Sequence, residues 1–409
     1  MHRLLLSQVA RRSSGEALTR NEPLCIMLAT EAVTLDFSGC DLADADVLWR
    51  ILSHGGFSIP LPLQSLTLAA CPFSPHLIDS IRTPFLTSLS LSRCETACID
   101  DMDRAMISLA TRISSITSLD LSMTQLSNTG AAFVLAHLAQ LQYLDISSCS
   151  RLTSESAWTG HVASKQLTHL DLRGNRGLGS AILLALGSSH LAHDQPEYVA
   201  DEKKTRLSLQ TLVVTGTAID LAGITCLQLD KLECLEIGEC ECSPHDFRQL
   251  VRGTPHLQVL DLSWCDALRD ESIIHLTAGE CNSRLTSLSL RCLEISDAAV
   301  CHFCHFSQLR CLVLSRCDSI TDFGLEALCQ GCTQLVTLDL SWLTDLSSHA
   351  LLTFLPWLTK IETLSLEGLK PVADEHLLLF AACLTHLRTL TLTWCNGMCT
   401  FLIPLQFWP

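Results

Sequence analysis

Leu309-Arg-Cys-Leu312-Val-Leu314-Ser-Arg316-Cys317-Asp-Ser-Ile320-Thr321-Asp322-Phe-Gly-Leu325-Glu-Ala-Leu328 is one complete structural phrase, and its reading decides the fold. Leu309, Leu312 and Leu314 set a short strand whose apolar residues face one way, and Ser315-Arg316-Cys317 turns the chain. Ile320 closes the turn. Thr321-Asp322 then supplies side-chain oxygens able to cap a helix, and Leu325 and Leu328 fall on one helical face. A unit this small cannot bury its apolar side alone, so copies of it must stack.

Working outward, the paired strand apolars recur at Leu35/Phe37, Leu66/Leu68, Leu89/Leu91, Leu119/Leu121, Leu144/Ile146, Leu170/Leu172 and Leu212/Val214, and again at Leu235/Ile237, Leu260/Leu262, Leu288/Leu290, Leu312/Leu314, Leu338/Leu340, Leu364/Leu366 and Leu390/Leu392. Counted from the second residue of each pair, the later steps are 25, 28, 24, 26, 26 and 26 residues. Each step accommodates one strand, one turn and one helix of two to three turns at about 1.5 Å per residue. Helix starts repeat at Leu126-Ser127-Asn128, Leu152-Thr153-Ser154-Glu155, Ile295-Ser296-Asp297 and Val372-Ala373-Asp374, each expected to place a capping oxygen after a buried aliphatic. The pattern predicts an α/β solenoid of 14 repeats, with a parallel sheet on one face and helices on the other.

One repeat running nearly end to end points to a single elongated repeat domain over residues 31–395 of the 409. Residues 1–30 precede it. Their Arg3, Arg11, Arg12 and Arg20 with serines suit an amphipathic capping helix or a mitochondrial targeting helix, and the first reading is preferred because terminal repeats need a cover. A polar stretch at 190–206 lengthens the step from Leu172 to Val214 to 42 residues, as a tolerated insertion or a binding loop. The apolar tail 396–409 reads as a folded-back cap or as the end of a shortened array.

Apolar residues make up 48% of the chain, ample for a continuous core, and the formal charge of −16 repels phosphate backbones. Partners with basic surfaces are therefore expected, nucleic acid is not, and no stretch approaches the roughly 20 apolar residues that span a bilayer. Of 22 cysteines, eight recur three residues after the last strand aliphatic: Cys40, Cys71, Cys94, Cys149, Cys240, Cys265, Cys317 and Cys395. One small buried thiol per repeat reads as packing, and keeping so many thiols reduced points to an intracellular, cytoplasmic setting.

The phrase Leu-x-x-Leu-x-Leu-Ser-x-Cys-x-x-Ile-Thr-Asp-x-Gly-Leu of Leu309–Leu325, with Leu141–Cys149 and Leu257–Cys265 matching its first half, resembles the cysteine-containing class of leucine-rich repeat. The resemblance spans residues 32–395 and implies a horseshoe solenoid. Six units carry Thr124, Asn175, Thr217, Leu293, Leu343 and Leu369 in place of the cysteine, as in a diverged array. Such repeats commonly form the substrate-receptor half of F-box subunits in cullin-based ubiquitin ligases, which implies a cullin-ligase adaptor among the partners; others are intracellular scaffolds or assembly factors. An F-box is a helical module longer than the 30 residues before Glu31, and Leu4-Leu5-Leu6 does not match its patterned Leu-Pro start.

Two surface features are candidates for partner binding. The residue between the paired strand apolars faces away from the core, and Asp36, Asp120, Asp145, Asp171, Glu236, Asp261 and Asp339 occupy it as a broken acidic stripe, either a solvated face or a ridge for a basic partner. Trp264, Trp342 and Trp394 sit two residues after the last strand aliphatic, with Arg316 in the same place of an intervening unit. Residues of these types in register make a contact patch or pack on neighbouring loops.

Cys301-x-x-Cys304 and Cys329-x-x-Cys332 have zinc-like spacing but differ in register by two residues, so they read as thiols of two repeat copies. Gly174–Gly179 lacks the G-x-G-x-x-G order and reads as a repeat loop. Histidines and carboxylates show no triad or metal-protease spacing, so no catalytic centre, metal or cofactor is expected.

Overall fold

The computed structural model describes residues 33–39, 63–73, 75–81, 83–154, 163–187, 207, 209–370 and 372–395. The segments 1–30, 190–206 and 396–409, together with Cys40 and Glu155, lie outside these described residues. The chain divides into two compact bodies, the first running to Leu212 and the second from Leu229 onward, with residues 213–228 shared out between them.

In the first body the strands Thr34–Asp36, Ser65–Thr67, Ser88–Ser90, Ser118–Asp120, Tyr143–Asp145 and His169–Asp171 pair parallel in chain order. The second body repeats the arrangement with Cys234–Glu236, Val259–Asp261, Ser287–Ser289, Cys311–Val313, Thr337–Asp339, Thr363–Ser365 and Thr389–Thr391. With Thr211–Val213 these repeat strands number fourteen among the described residues, as the leucine pattern predicts, and a separate parallel pair joins Pro72–Phe73 to Glu95–Thr96. Each strand centres on the first apolar residue of its pair, and the register is strict: Leu235, Leu260, Leu288, Leu312, Leu338, Leu364 and Leu390 stand opposite one another. Except at the last strand, these leucines are at most 1% exposed, each contributing about 1.5–3 kcal/mol relative to an exposed side chain. On the other side lie helices such as Asp101–Arg112, Asn128–His137, Pro244–Gly253, Asp322–Gly331 and Asp374–Cys383. Each body is thus a repetition of strand, turn and helix, the α/β solenoid expected.

Three ladders of polar contacts tie successive coils, and two of them revise the reading of the sequence. Every repeat turns through one residue in the left-handed region: Gly39, Ala70, Arg93, Met123, Ser148, Gly174, Gly216, Glu239, Trp264, Cys292, Arg316, Trp342, Gly368 and Trp394, with φ between 54° and 74°. This conformation carries the ladder past the strand end: Trp264 N donates to Arg291 O at 2.9 Å, Arg316 N to Ser341 O at 3.0 Å and Trp342 N to Glu367 O at 2.8 Å.

The recurrent cysteine does more than pack. Its thiol donates back to the last strand carbonyl of the preceding coil: Cys94 to Leu68 O (3.0 Å), Cys149 to Leu121 O (3.2 Å), Cys265 to Ile237 O (3.2 Å), Cys317 to Leu290 O (3.1 Å) and Cys395 to Leu366 O (3.1 Å). Asn175, which replaces a cysteine, does the same work with its amide, donating to Ile146 O at 2.9 Å.

The helix starts divide labour in a way the capping expectation did not separate. Ser127, Ser296, Thr321 and Ser347 are the caps, accepting from backbone N–H groups of their own first turns. The acid or amide that follows reaches instead to the next coil. Asp297 accepts from Thr321 N (2.8 Å) and Thr321 Oγ1 (2.6 Å), and Asp322 from Ser347 N (2.7 Å) and Ser347 Oγ (2.6 Å). Asp270 holds Ser296 in the same way, at 2.7 and 2.6 Å. At Ala373 there is no capping oxygen, and the buried His376 ring takes the role by accepting from Ala373 N through Nδ1 at 3.1 Å.

Candidate protein-interaction surface

The acidic stripe is first of all part of the turn. The residue after the central strand leucine is half-buried, and its carboxylate folds over the strand end to accept the N–H two residues on: Asp120 from Ser122 (3.0 Å), Asp145 from Ser147 (2.9 Å), Asp171 from Arg173 (3.0 Å), Asp261 from Ser263 (2.9 Å) and Asp339 from Ser341 (2.9 Å). Asp36 does the same with Ser38 at 2.9 Å. Ser263 and Ser341 also donate their hydroxyls to these carboxylates. One oxygen of each aspartate is therefore committed to holding the chain on its way into the left-handed residue.

The register sorts the stripe. In the first body Asp120, Asp145 and Asp171 stand on three consecutive strands, directly opposite one another. Burial, then Asp171 and Asp120, push the Asp145 carboxyl above its ordinary pKa against the two hydrogen bonds from Ser147 that lower it. Tyr143 is raised as well, by burial first and by Asp145 next. In the second body Glu236 and Asp261 are neighbours, but Ser289 and Val313 separate Asp261 from Asp339.

Trp264, Arg316, Trp342 and Trp394 all belong to the second body and all occupy the left-handed position. Glycine fills that position in four other coils without steric cost, whereas a branched or aromatic residue there gives up about 1 kcal/mol. Trp264 is 46% exposed and Trp394 72%, while Trp342 is half-buried. The Arg316 guanidinium lies 5.3 Å from the Trp342 ring centroid. The Trp342 indole in turn lies over Gly368, so close that a Cβ at 368 would fall 2.5 Å from its ring carbons. Arg316, Trp342 and Gly368 thus form three nested layers, and Trp394 projects beyond them from the following coil.

Between Trp264 and Arg316 the corresponding residue is the small Cys292, and there the edge opens into a cleft of 280 Å³ lined by Trp264, Cys292, Leu293, Glu294, Arg316, Asp318 and Ser319. Of this lining, Trp264 and Arg316 are candidates from the sequence, and Cys292, Leu293, Glu294, Asp318 and Ser319 are not. The signal was present, since Cys292 stands two residues after Leu290, in register with the tryptophans.

The two cysteine pairs lie on neighbouring coils, with Cys304 packed against Gly331 beside Cys332. Cys301 and Cys304 are exposed while Cys329 and Cys332 are buried, and among the described residues no group of three or more His, Cys, Asp or Glu is placed to hold a metal. Gly174 is the left-handed residue of its coil, with φ +74°. No helix among the described residues is long and apolar enough to cross a membrane.

The family pattern described as "Leucine Rich repeat" matches residues 113–134, 163–187, 254–276 and 308–329, two stretches in each body and each one full turn of the coil. These stretches are leucine-rich repeats, and the fold is that of a leucine-rich repeat solenoid. Proteins built from such repeats serve as scaffolds for protein–protein interaction. Among curated proteins this repeat protein is 27% identical over 163 residues to F-box/LRR-repeat protein 4 of Bos taurus, a match covering 34% of the chain and 24% of that relative. Among solved structures it is similar to that of the Rad7 and Elc1 complex in yeast, with a TM-score of 0.59 at 16% identity over 98% of this chain and 94% of that one. It is also similar to an internalin, InlF, of Listeria monocytogenes, with a TM-score of 0.54 at 16% identity over 87% and 90%. At these identities the likeness to solved structures is one of fold.

Proposed function

We propose that this repeat protein recognises another protein through the Trp264, Arg316, Trp342 and Trp394 edge of its second body, as the substrate-recognition component of an F-box-type ubiquitin ligase pathway in the cytoplasm. The observation that carries the reading is the placement of three tryptophans and an arginine, the residue types that dominate interface energetics, at a backbone position where glycine would be easier. Two of those rings remain broadly exposed. The charge of −16 favours partners with basic surfaces and speeds their encounter. The ligase pathway is supported by the F-box/LRR relative, and a protein of the same fold, yeast Rad7, has been crystallised in complex with Elc1.

The test is affinity purification of the full chain from cells beside a Trp264→Gly/Trp394→Gly variant. Co-purification of cullin and adaptor subunits supports the ligase pathway, and their absence at good coverage removes it. Partners retained by the glycine variant at the wild-type level remove the edge as the contact.

A further inference from the structure

From Trp264 onward the left-handed residues of the second body, which begin with Glu239, vary in size along consecutive coils: Trp264, Cys292, Arg316, Trp342, Gly368, Trp394. Two small residues leave two gaps in this row, and the gaps meet different fates. The one at Gly368 is filled from within, because the Trp342 indole lies across it. The one at Cys292 stays open and is the 280 Å³ cleft. Its lining includes the exposed Trp264 ring, Arg316 and the carboxylates of Glu294 and Asp318.

The chain itself shows what binds an indole at this edge. One step along, the Arg316 guanidinium stacks against Trp342 at 5.3 Å, about the spacing between neighbouring strands. Trp264 has no such guanidinium in the corresponding place. Glu294 is engaged by Arg269 at 2.9 Å, whereas the Asp318 carboxylate makes no hydrogen bond or salt bridge within the described residues. An open aromatic face and an unengaged carboxylate together define a site for a planar cation, with Asp318 offsetting the like charge of Arg316 in the lining.

We propose that the cleft takes an arginine side chain of the partner protein, its guanidinium stacking on Trp264 and pairing with Asp318, so that the partner continues the row that Arg316 and Trp342 begin. This rests on the reading of the edge as a protein contact. Arginine fits better than lysine because the planar group matches both the indole and the carboxylate, while an ammonium matches neither in shape.

The test uses the full chain and a fluorescein-labelled hexa-arginine peptide, read by anisotropy at about 0.15 M salt, where attraction between distant exposed charges is largely screened. Trp264→Gly places at this position the residue used by Gly368 and should keep the native urea midpoint, and Asp318→Asn removes the carboxylate charge without changing shape. Each should weaken hexa-arginine roughly fivefold or more. Hexalysine should bind the wild-type chain more weakly than hexa-arginine. The proposal falls if hexa-arginine does not bind, or if both variants bind it as wild type does, which would mean attraction to the general negative field. It also falls if hexaglutamate binds and is lost in Arg316→Ala, which would make the cleft an anion site. Loss of cellular partners in the glycine variant without any change in hexa-arginine binding would leave the contact edge standing and overturn only the arginine pocket.

Discussion

Gly324→Ala should destabilise the second body, although the substitution is favourable by ordinary helix rules. Gly324 lies in the first turn of Asp322–Gly331, where alanine normally gains up to about 1 kcal/mol over glycine. Here a Cβ would fall under 3.0 Å from Asp297 Oδ1 of the preceding coil and 3.1 Å from Ile320 Cγ2. The carboxylate would have to withdraw, yet it accepts from Thr321 N at 2.8 Å and Thr321 Oγ1 at 2.6 Å. Two charge-assisted bonds at a half-buried site contribute roughly 2–4 kcal/mol together. The net loss is then about 1–3 kcal/mol, read by urea unfolding followed by circular dichroism. Gly253→Ala is the control, since a Cβ there meets only Leu229 at 3.8 Å and should cost nothing. In an Asp297→Ala background the obstructing carboxylate is gone, and Gly324→Ala should turn neutral or stabilising. Gly324→Ala matching or exceeding wild-type stability would refute the account of why this motif contains glycine.

Cys317→Ala should cost about 0.5–1.5 kcal/mol in the same assay, because it removes one of two donors to the buried Leu290 carbonyl and leaves only Leu293 N at 3.2 Å, and an unchanged midpoint would reduce the cysteine to a spacer. Alkaline pH should destabilise the fold: burial raises Cys94 and Cys281 from 9.0 to about 11 and Cys317 and Cys332 to about 12. Below pH 9 both states keep these protons; above it the unfolded chain loses them first, so each thiol lowers stability by about 1.4 kcal/mol per pH unit until its folded pKa is passed. A urea midpoint that stays flat between about pH 9 and 11 would contradict this burial. Asp145→Asn should be neutral or stabilising at pH 7, since an amide oxygen still accepts from Ser147 N while the charge facing Asp120 and Asp171 disappears. Because the native carboxyl is raised, wild type should regain ground as pH falls toward 4; a clear loss of stability in Asp145→Asn at pH 7 would show that the charge supports the turn.

The strand count was legible because a leucine every second residue, reset at a near-constant step, admits one register only. Leu260 opposite Leu288, and Leu288 opposite Leu312, is what that period demands. Contacts between coils were less legible. Asp297 and Thr321 are 24 residues apart, so Thr-Asp reads as a local cap until stacking brings one coil's aspartate to the next coil's threonine. The left-handed turn was hidden for a different reason. Its occupants include glycine, alanine, methionine, arginine and tryptophan, and no preference marks it, because the backbone hydrogen bond to the next coil imposes the conformation whatever the side chain.

That imposed turn also explains why the candidate site is where it is. The strand residues facing solvent are drawn into the fold's own bonding, as Asp261 and Asp339 show by accepting from the turn that follows them. The central leucines are buried, and the cysteine position is bound to the coil before it. The left-handed residue differs: its N–H is committed to the next coil while its side chain leaves along the edge, where it meets at most its neighbours in the same column, as Arg316 meets Trp342. Its identity can therefore vary between glycine and tryptophan at a cost of about 1 kcal/mol, less than the loss of one buried bond. On the proposed reading this fold keeps its stability in the inward positions and its recognition in this one column, where the small Cys292 between Trp264 and Arg316 opens a cleft while its own N–H still bonds Ser315 O at 2.9 Å.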